Sequence, residues 1–191
     1  MDKVSIIIPV LFENQELINM TAVCLTTMGN IGQVIVIGND SYAVNVNNGL
    51  KAATGDYLII CNNDIEFLQP DWLDHLLKPL HEGYAISSIR TSDADGYTVE
   101  ERYEEDAKFG SIWAMTRVTY EALGPLDESF GNYFEDLDYQ KRAEDAGLRV
   151  VKNHAGLVEH RGKATFKVVD PDDKNYKQAM ERFRKKWGAV W

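Results

Sequence analysis

Two short acidic stretches, Asn62-Asn63-Asp64 and Glu135-Asp136-Leu137-Asp138, hold the residues of this chain best suited to chemistry. One carboxylate can hold a hard divalent cation through oxygen while another takes a proton from a nucleophile. Each stretch also has an ordinary structural use. Asn and Asp make polar turns after strands, and acids at a helix start cap it and complement its dipole. Chemistry is favoured by the combination, because both stretches follow segments that a parallel sheet brings to one edge. In open α/β sheets the crevice beyond the carboxyl ends of the strands is where ligands sit.

The elements that must position these acids follow from the apolar pattern. Tyr57 to Cys61 is a continuous apolar run, read as a strand buried on both faces that releases Asp64 into the crevice. Val4 to Pro9 is β-branched and ends in a proline, which predicts a first strand. Glu13 to Met28 has helical spacing and stops at Gly29. Gln33 to Gly38 reads as a second strand opening into Asn39-Asp40-Ser41, so the first forty residues form a βαβ unit. Helices are expected at Asn45–Ala53, after Gln69-Pro70-Asp71-Trp72, at Val118–Leu123 and from Phe134 to Gly147. Further strands are expected near Tyr84–Ile89, Gly110–Thr116 and Leu148–Lys152. The acidic segment Arg90 to Lys108 reads as a hairpin or mobile loop rather than a linker. In the tail Pro171–Trp191, Tyr176, Met180, Phe183 and Trp187 form an aromatic stripe expected to pack on the sheet. The prediction is one α/β domain over residues 1–191, Rossmann-like, with a mainly parallel central sheet flanked by helices.

Charge narrows the function. Twenty Lys and Arg against 30 Asp and Glu give a net charge of −10, which disfavours a nucleic-acid partner because phosphate binding needs a cationic face. The only dense basic patch is Arg182, Arg184, Lys185 and Lys186. Cys24 and Cys61, both in apolar surroundings, point to a reducing compartment and no zinc site. No apolar run approaches the ~20 residues of a membrane helix, and a strand by Val4 leaves no room for a signal peptide. The expected location is the cytoplasm.

The order of the motifs resembles glycosyltransferase family 2, of the GT-A fold. The resemblance is carried by Val4-Ser-Ile-Ile-Ile-Pro9, Asn48-Gly49, Ala53-Thr-Gly-Asp-Tyr57, Asn62-Asn-Asp64, Gly124-Pro-Leu-Asp-Glu-Ser-Phe130 and Tyr133-Phe-Glu-Asp-Leu-Asp138. Arg142, Gly147 and His160 continue it, and it covers about Val4 to Thr165. It implies inverting transfer of a sugar from a nucleotide-sugar donor to an acceptor hydroxyl. Asp64 then matches the metal-binding acid of an Asp-x-Asp motif whose first position is Asn62, with Asn63 between them on the donor side. Asp136 matches the catalytic base with Glu135 beside it, and His160 a histidine that approaches the metal or donor phosphate. Pro9, Leu11, Asn39, Asp40 and Asn48 fall where the family holds the nucleoside. The implied cofactor is Mn²⁺ or Mg²⁺, whose shell one or two carboxylates and phosphate oxygens complete. The implied donor is a UDP-sugar, with GDP- or dTDP-sugars as alternatives, and the acceptor a glycan, a small molecule or a protein.

The chain departs from the family at Gly38-Asn39, where an acid is common, which leaves the nucleoside open. Asn62 removes one charge from the metal site and predicts weaker metal binding. Glu135 and Asp138 are expected to raise the proton affinity of Asp136 by like-charge repulsion. The acidic loop argues for a neutral acceptor. His160 is alternatively a hydrogen-bonded loop histidine, while His75, His81 and His154 read as structural or surface residues, and Trp113 as core more than sugar platform. Two other classes compete: a catalytically silent sugar-nucleotide-binding scaffold of the same fold, and a nucleotidyltransferase. The absence of glycine between Pro9 and Asn14 argues against the latter's phosphate loop.

Overall fold

The structure, a computed structural model, describes residues 2–92, 99–105, 107–161 and 170–188. In chain order the elements are β1 (Val4–Val10), α1 (Gln15–Met28), β2 (Gln33–Gly38), α2 (Tyr42–Ala52), β3 (Tyr57–Cys61), β4 (Ile65–Phe67) and α3 (Trp72–His81). Then come β5 (Ile86–Thr91), β6 (Tyr103–Glu105), β7 (Ile112–Thr116), α4 (Arg117–Leu123), a 3₁₀ turn at Glu128–Phe130, α5 (Glu135–Asp145), β8 (Val150–His160) and α6 (Lys174–Trp187).

Among the described residues eight strands join one sheet of order β2-β1-β3-β7-β5-β8-β4, with β6 on β8. Strands β1, β2, β3, β5 and β8 point one way, and β7, β4 and β6 run against them. The strands of the shared direction set the crevice edge, because Val10, Gly38, Cys61, Thr91 and His160 all end there. The first strand runs one residue past the expected proline. Its ladder to β3 ends at Ile7 while that to β2 continues to Val10, so Pro9 sits where β3 no longer asks for its missing N–H.

Two apolar layers sandwich the sheet. On one face Ile6, Ile8, Ile59 and Cys61 meet Cys24 and Met28 of α1 and Trp72, Leu76, Leu77 and Leu80 of α3. On the other, Ile7, Leu58, Ile60, Trp113 and Met115 meet Ala43, Val46 and Leu50 of α2 and Tyr139 and Ala143 of α5. A buried Leu or Ile contributes ~1.5–3 kcal/mol, so the strand triplets of β1 and β3 are the main hydrophobic investment of the fold. Trp113 stacks on Phe109 at 5.0 Å and is 2% exposed, a core residue as expected. Gly49 is required by packing: a Cβ there would lie 2.4 Å from Ile7 Cγ2, so helix α2 lies directly against β1. The thiols of Cys24 and Cys61 are free, buried and 4.0 Å apart.

Two expectations need correction. The aromatic stripe of α6 packs on Phe130, Tyr133 and Phe134, ahead of α5, rather than on the sheet. Phe183 is fully buried there, while Tyr176, 40% exposed, still touches the rings of Tyr133 and Phe134. The acidic segment after Arg90 is not a hairpin in its described part, since β6 pairs with β8. Three of its four described carboxylates are paired, Glu100 with Arg102, Glu104 with His154, and Glu105 with Arg149 and Tyr84, while Glu101 is exposed. These bonds hold the paired three below the usual carboxylate range, so their charge is no argument against an anionic acceptor. Asp93, Asp95 and Asp106 lie outside the described residues, as does Thr165.

Candidate active site

Asp64 stands at the end of the turn that follows β3. Asn62 N–H donates to Ser111 C=O at 2.8 Å, which ties this turn to the start of β7. Immediately after Asp64 the chain enters β4, whose Ile65 pairs with His160 of β8. That register places His160 Nε2 3.2 Å from Asp64 Oδ1, with Asp64 buried and His160 partly exposed. Arg161 N–H closes the arrangement on Asp64 C=O at 3.1 Å. The strand alignment therefore brings together two residues that the sequence could associate only through the family resemblance.

Glu135 and Asp136 begin α5 from a different kind of support. Phe134, the residue before them, sits in the left-handed region at φ 68°, a conformation a bulky side chain adopts only when its surroundings enforce it. The turn after it aims Glu135 inward, where one carboxylate oxygen is buried without a hydrogen-bond partner among the described residues. Burial, and then the charge of Asp136, push the Glu135 carboxyl well above the usual range. Asp136 is more exposed; burial also raises it, against the N–H of Leu137 at 2.7 Å and the more distant charge of Lys108. The like-charge effect runs opposite to the expectation: Asp136 raises Glu135, while burial is what raises Asp136. Asp138 adds no like charge: its buried carboxylate accepts from Arg142, Lys186 and Trp187, so its charge is compensated and it is a structural anchor.

Tyr42, a residue missed in reading the sequence, links the two ends. Its hydroxyl donates to Asn62 Oδ1 at 2.9 Å, and its backbone N–H donates to Asn132 Oδ1 at 2.7 Å. Burial, then Glu135 and Asp136, and more weakly Asp64, raise its phenol far above the ordinary range. Both acid groups therefore lie within electrostatic reach of one hydroxyl. Nothing in the local pattern of Ser41-Tyr42-Ala43 distinguishes this tyrosine from a core aromatic at a helix start.

The other expected residues divide. Asn39, with φ 80°, and Asp40 lie exposed at the carboxyl end of β2, and Leu11 partly exposed at that of β1. Asp40 also shapes the start of α2, accepting from Ser41 N–H through its carboxylate and from the Asn45 amide through its C=O. Pro9 is buried inside β1, one residue short of the crevice. Asn48 lies on the exposed side of α2, away from the Ala43, Val46 and Leu50 core face. Asn63 is buried, and its amide nitrogen donates to Leu17 C=O and Thr21 Oγ1, locking the turn to α1. Its neighbour in kind, Asn47, joins α2 to Leu126 and Glu128. An open cavity of about 360 Å³ runs along α3 beside His75, Lys78, His81 and Asn153, and shares no residue with this crevice.

Adjacent ligands of an octahedral ion at about 2.1 Å stand about 3 Å apart, close to the observed Asp64–His160 separation. No group of three His, Cys, Asp or Glu is gathered for a metal among the described residues. The pair thus fits an ion that takes its remaining ligands from a phosphate-bearing substrate and water, and not a closed structural site.

Comparison with known proteins agrees with this geometry. Glucosyl-3-phosphoglycerate synthase from Mycobacterium tuberculosis, in complex with Mg²⁺ and UDP, superposes with a TM-score of 0.66 at 12% identity, over 100% of this chain and 81% of that one. GalNAc-T7 with UDP, GalNAc and Mn²⁺ gives 0.67 at 15% identity, over 95% of this chain and 48% of that one. At these identities the likeness establishes the fold. No curated protein sequence matches significantly. Among the described residues no helix is long and apolar enough to cross a membrane. The family model for glycosyl transferase family 2 matches residues 21–134, a span that includes the turn at Asp64 and ends one residue before the paired acids of α5. The chain therefore belongs to glycosyl transferase family 2 and is a nucleotide-sugar-dependent glycosyltransferase.

Proposed function

We propose that the protein is an inverting, divalent-metal-dependent glycosyltransferase using a UDP-sugar, with Asp136 as general base. The observation that carries this reading is the pairing of unlike acid groups around Tyr42. One, Asp64, is matched with an imidazole; the other, Glu135 with Asp136, has its proton affinity raised by burial. Environments that push two acids apart are how one site divides the work of binding and proton transfer.

Asp64 and His160 would hold Mn²⁺ or Mg²⁺. Such an ion, when bound, neutralises the charge that grows on the departing nucleoside diphosphate. Similar structures contain UDP with Mg²⁺ or Mn²⁺, and one holds UDP-Glc with phosphoglyceric acid, which supports a UDP-sugar here. Leu11, Asn39 and Asp40, at the ends of β1 and β2, would line the nucleoside seat. The acceptor hydroxyl oxygen attacks the anomeric carbon from the face opposite the diphosphate. The bond to the diphosphate oxygen breaks with its electron pair, and the hydroxyl proton passes to Asp136. General-base help of this kind contributes ~10²–10⁴-fold. Burial keeps Asp136 basic, and the Tyr42 hydroxyl holds the Asn62 side chain in place. An acceptor bearing anionic groups is compatible with the site, since three of the four described carboxylates of the segment after Arg90 are already paired. Two buried free thiols make a reducing compartment such as the cytoplasm part of this reading.

The test is donor turnover across a panel of nucleotide sugars, with and without Mn²⁺, for wild type, Asp136→Asn and Asp64→Ala, with donor binding followed by calorimetry. The expected result is metal-dependent turnover of one donor that both variants lose, with binding lost only in Asp64→Ala. Tight donor binding with no turnover alone or with any acceptor would favour a catalytically silent binding protein instead.

A further inference from the structure

Helix α6 lies outside the matched residues 21–134, yet its contacts converge on one helical turn. That turn runs from Phe134 to Asp138 and is closed by Asp138 N–H on Phe134 C=O at 2.8 Å. Glu135 and Asp136 lie between its two ends. At the first end, the rings of Phe183 and Tyr176 stand 5.5 and 5.4 Å from Phe134, the residue in the left-handed conformation. At the other end, Asp138 is fully buried, and a buried carboxylate requires partners. It takes two of them from α6: Trp187 Nε1 at 2.9 Å and Lys186 Nζ at 2.8 Å, both on Oδ1. Its second oxygen accepts from Arg142 Nε at 3.1 Å.

The same side chains tie down the loop that precedes α5. Lys186 also binds Asp127 at 2.8 Å, and Arg182 donates to Ser129 C=O. Arg142 reaches the carbonyls of Leu123 and Pro125. Tyr176, Phe183 and Trp187 are spaced by seven and four residues, so one face of α6 reaches both ends of the turn. A left-handed residue at a helix start persists only if its surroundings over-determine it, and α6 supplies contacts on both sides of it.

We propose that α6 is the brace that fixes the turn carrying Glu135 and Asp136, with Trp187 and Lys186 as positioning residues that act on Asp136 through Asp138. The catalytic half of this statement rests on the reading of Asp136 as the base. The holding of the turn does not. Neither residue touches a reacting atom in this scheme; each sets where the base stands.

Hydrogen exchange and steady-state kinetics together test it, on the full chain, with Trp187→Phe, Lys186→Met and Lys186→Arg. Lys185→Ala, on the exposed face of the same helix, is the control. In Trp187→Phe and Lys186→Met, amide exchange across residues 134–138 is expected to speed up, while the β1 and β3 strands exchange as in wild type. Their kcat is expected to fall about 10- to 100-fold, the loss that a displacement of about 1 Å causes, with the KM for the donor unchanged. Lys186→Arg should restore most of the activity, and Lys185→Ala should match wild type. Unchanged exchange at 134–138 in both variants would overturn the brace. So would a loss of kcat that comes only with faster exchange throughout the sheet and weaker donor binding, because α6 would then be general stabilising mass. If exchange changes locally but Asp136→Asn transfers sugar at the wild-type rate, the brace stands and the assignment of the base fails.

Discussion

At one end of the crevice Asp64 leaves a central strand and faces His160 across a strand register. At the other, Glu135 and Asp136 start a helix behind a left-handed Phe134, and one Glu135 oxygen has no partner among the described residues. The sheet end is compensated and fixed by backbone pairing. The helix end is uncompensated and fixed by side chains from the 3₁₀ turn and α6. The contrast matches two tasks. A group that holds a cation gains from a set position and a ready charge, whereas a base must keep its proton affinity high. It must therefore sit where burial disfavours its charged form.

The largest test of this contrast is Asp136→Asn. Transfer should fall ~10²–10⁴-fold with donor binding intact, as judged by kcat beside a calorimetric donor Kd. A matching loss of donor affinity would erase the distinction between the ends. Next, His160→Ala should weaken Mn²⁺ binding in the presence of UDP about 10- to 100-fold, the range seen when a partner of a metal carboxylate is lost. Equal Mn²⁺ affinity in titration calorimetry would remove His160 from the metal end. A stability effect comes third. Gly49→Ala drives a methyl toward Ile7 of β1 and should destabilise by about 1–3 kcal/mol, measured by urea unfolding. An unchanged midpoint would show that the sheet end can yield.

The smallest effect sharpens the helix end through pH. A carboxyl whose folded pKa is raised binds its proton more tightly when folded. Its contribution is present in acid and is lost as pH climbs from the ordinary carboxylate range through the raised value. Burial raises Glu135 and Asp136 in this direction. Glu135→Gln should therefore melt close to wild type in acid and above it at neutral pH. Parallel melting curves at every pH would show that Glu135 carries no such burden. The rate of transfer in wild type should rise with pH across the same window, as Asp136 loses its proton.

Much of the sheet end was legible in the sequence. Unbroken apolar runs make β1 and β3, and the polar turn after Cys61 marks where the crevice begins. The helix periods of α1, α3 and α5 needed no partner to be read. What stayed hidden is what distant contacts decide. The strand β8 was expected to stop near Lys152, because Lys152-Asn153-His154 breaks the apolar pattern. It runs on to His160 because remote groups satisfy those polar side chains: Asn153 donates to His75 C=O, and His154 meets Glu104. Strand β4, three residues long, exists only because β8 is there to pair with it. Nothing local to Asn63 shows that its amide nitrogen is taken by Leu17 and Thr21 of α1. Asp138 looked like a third charge beside the base until Lys186 and Trp187 came from the far end of the chain.

The antiparallel pairing of β4 with β8 has a kinetic consequence. Asp64 meets His160 only when segments far apart in the chain close on one another, and Arg161 meets Glu66 across a gap of 95 residues. Contacts of that range are slow to close and late to be rewarded. The proposed cation seat is then absent from any partly built chain, so Mn²⁺ affinity during refolding should appear with the last phase and serve as a clock for completion of the sheet.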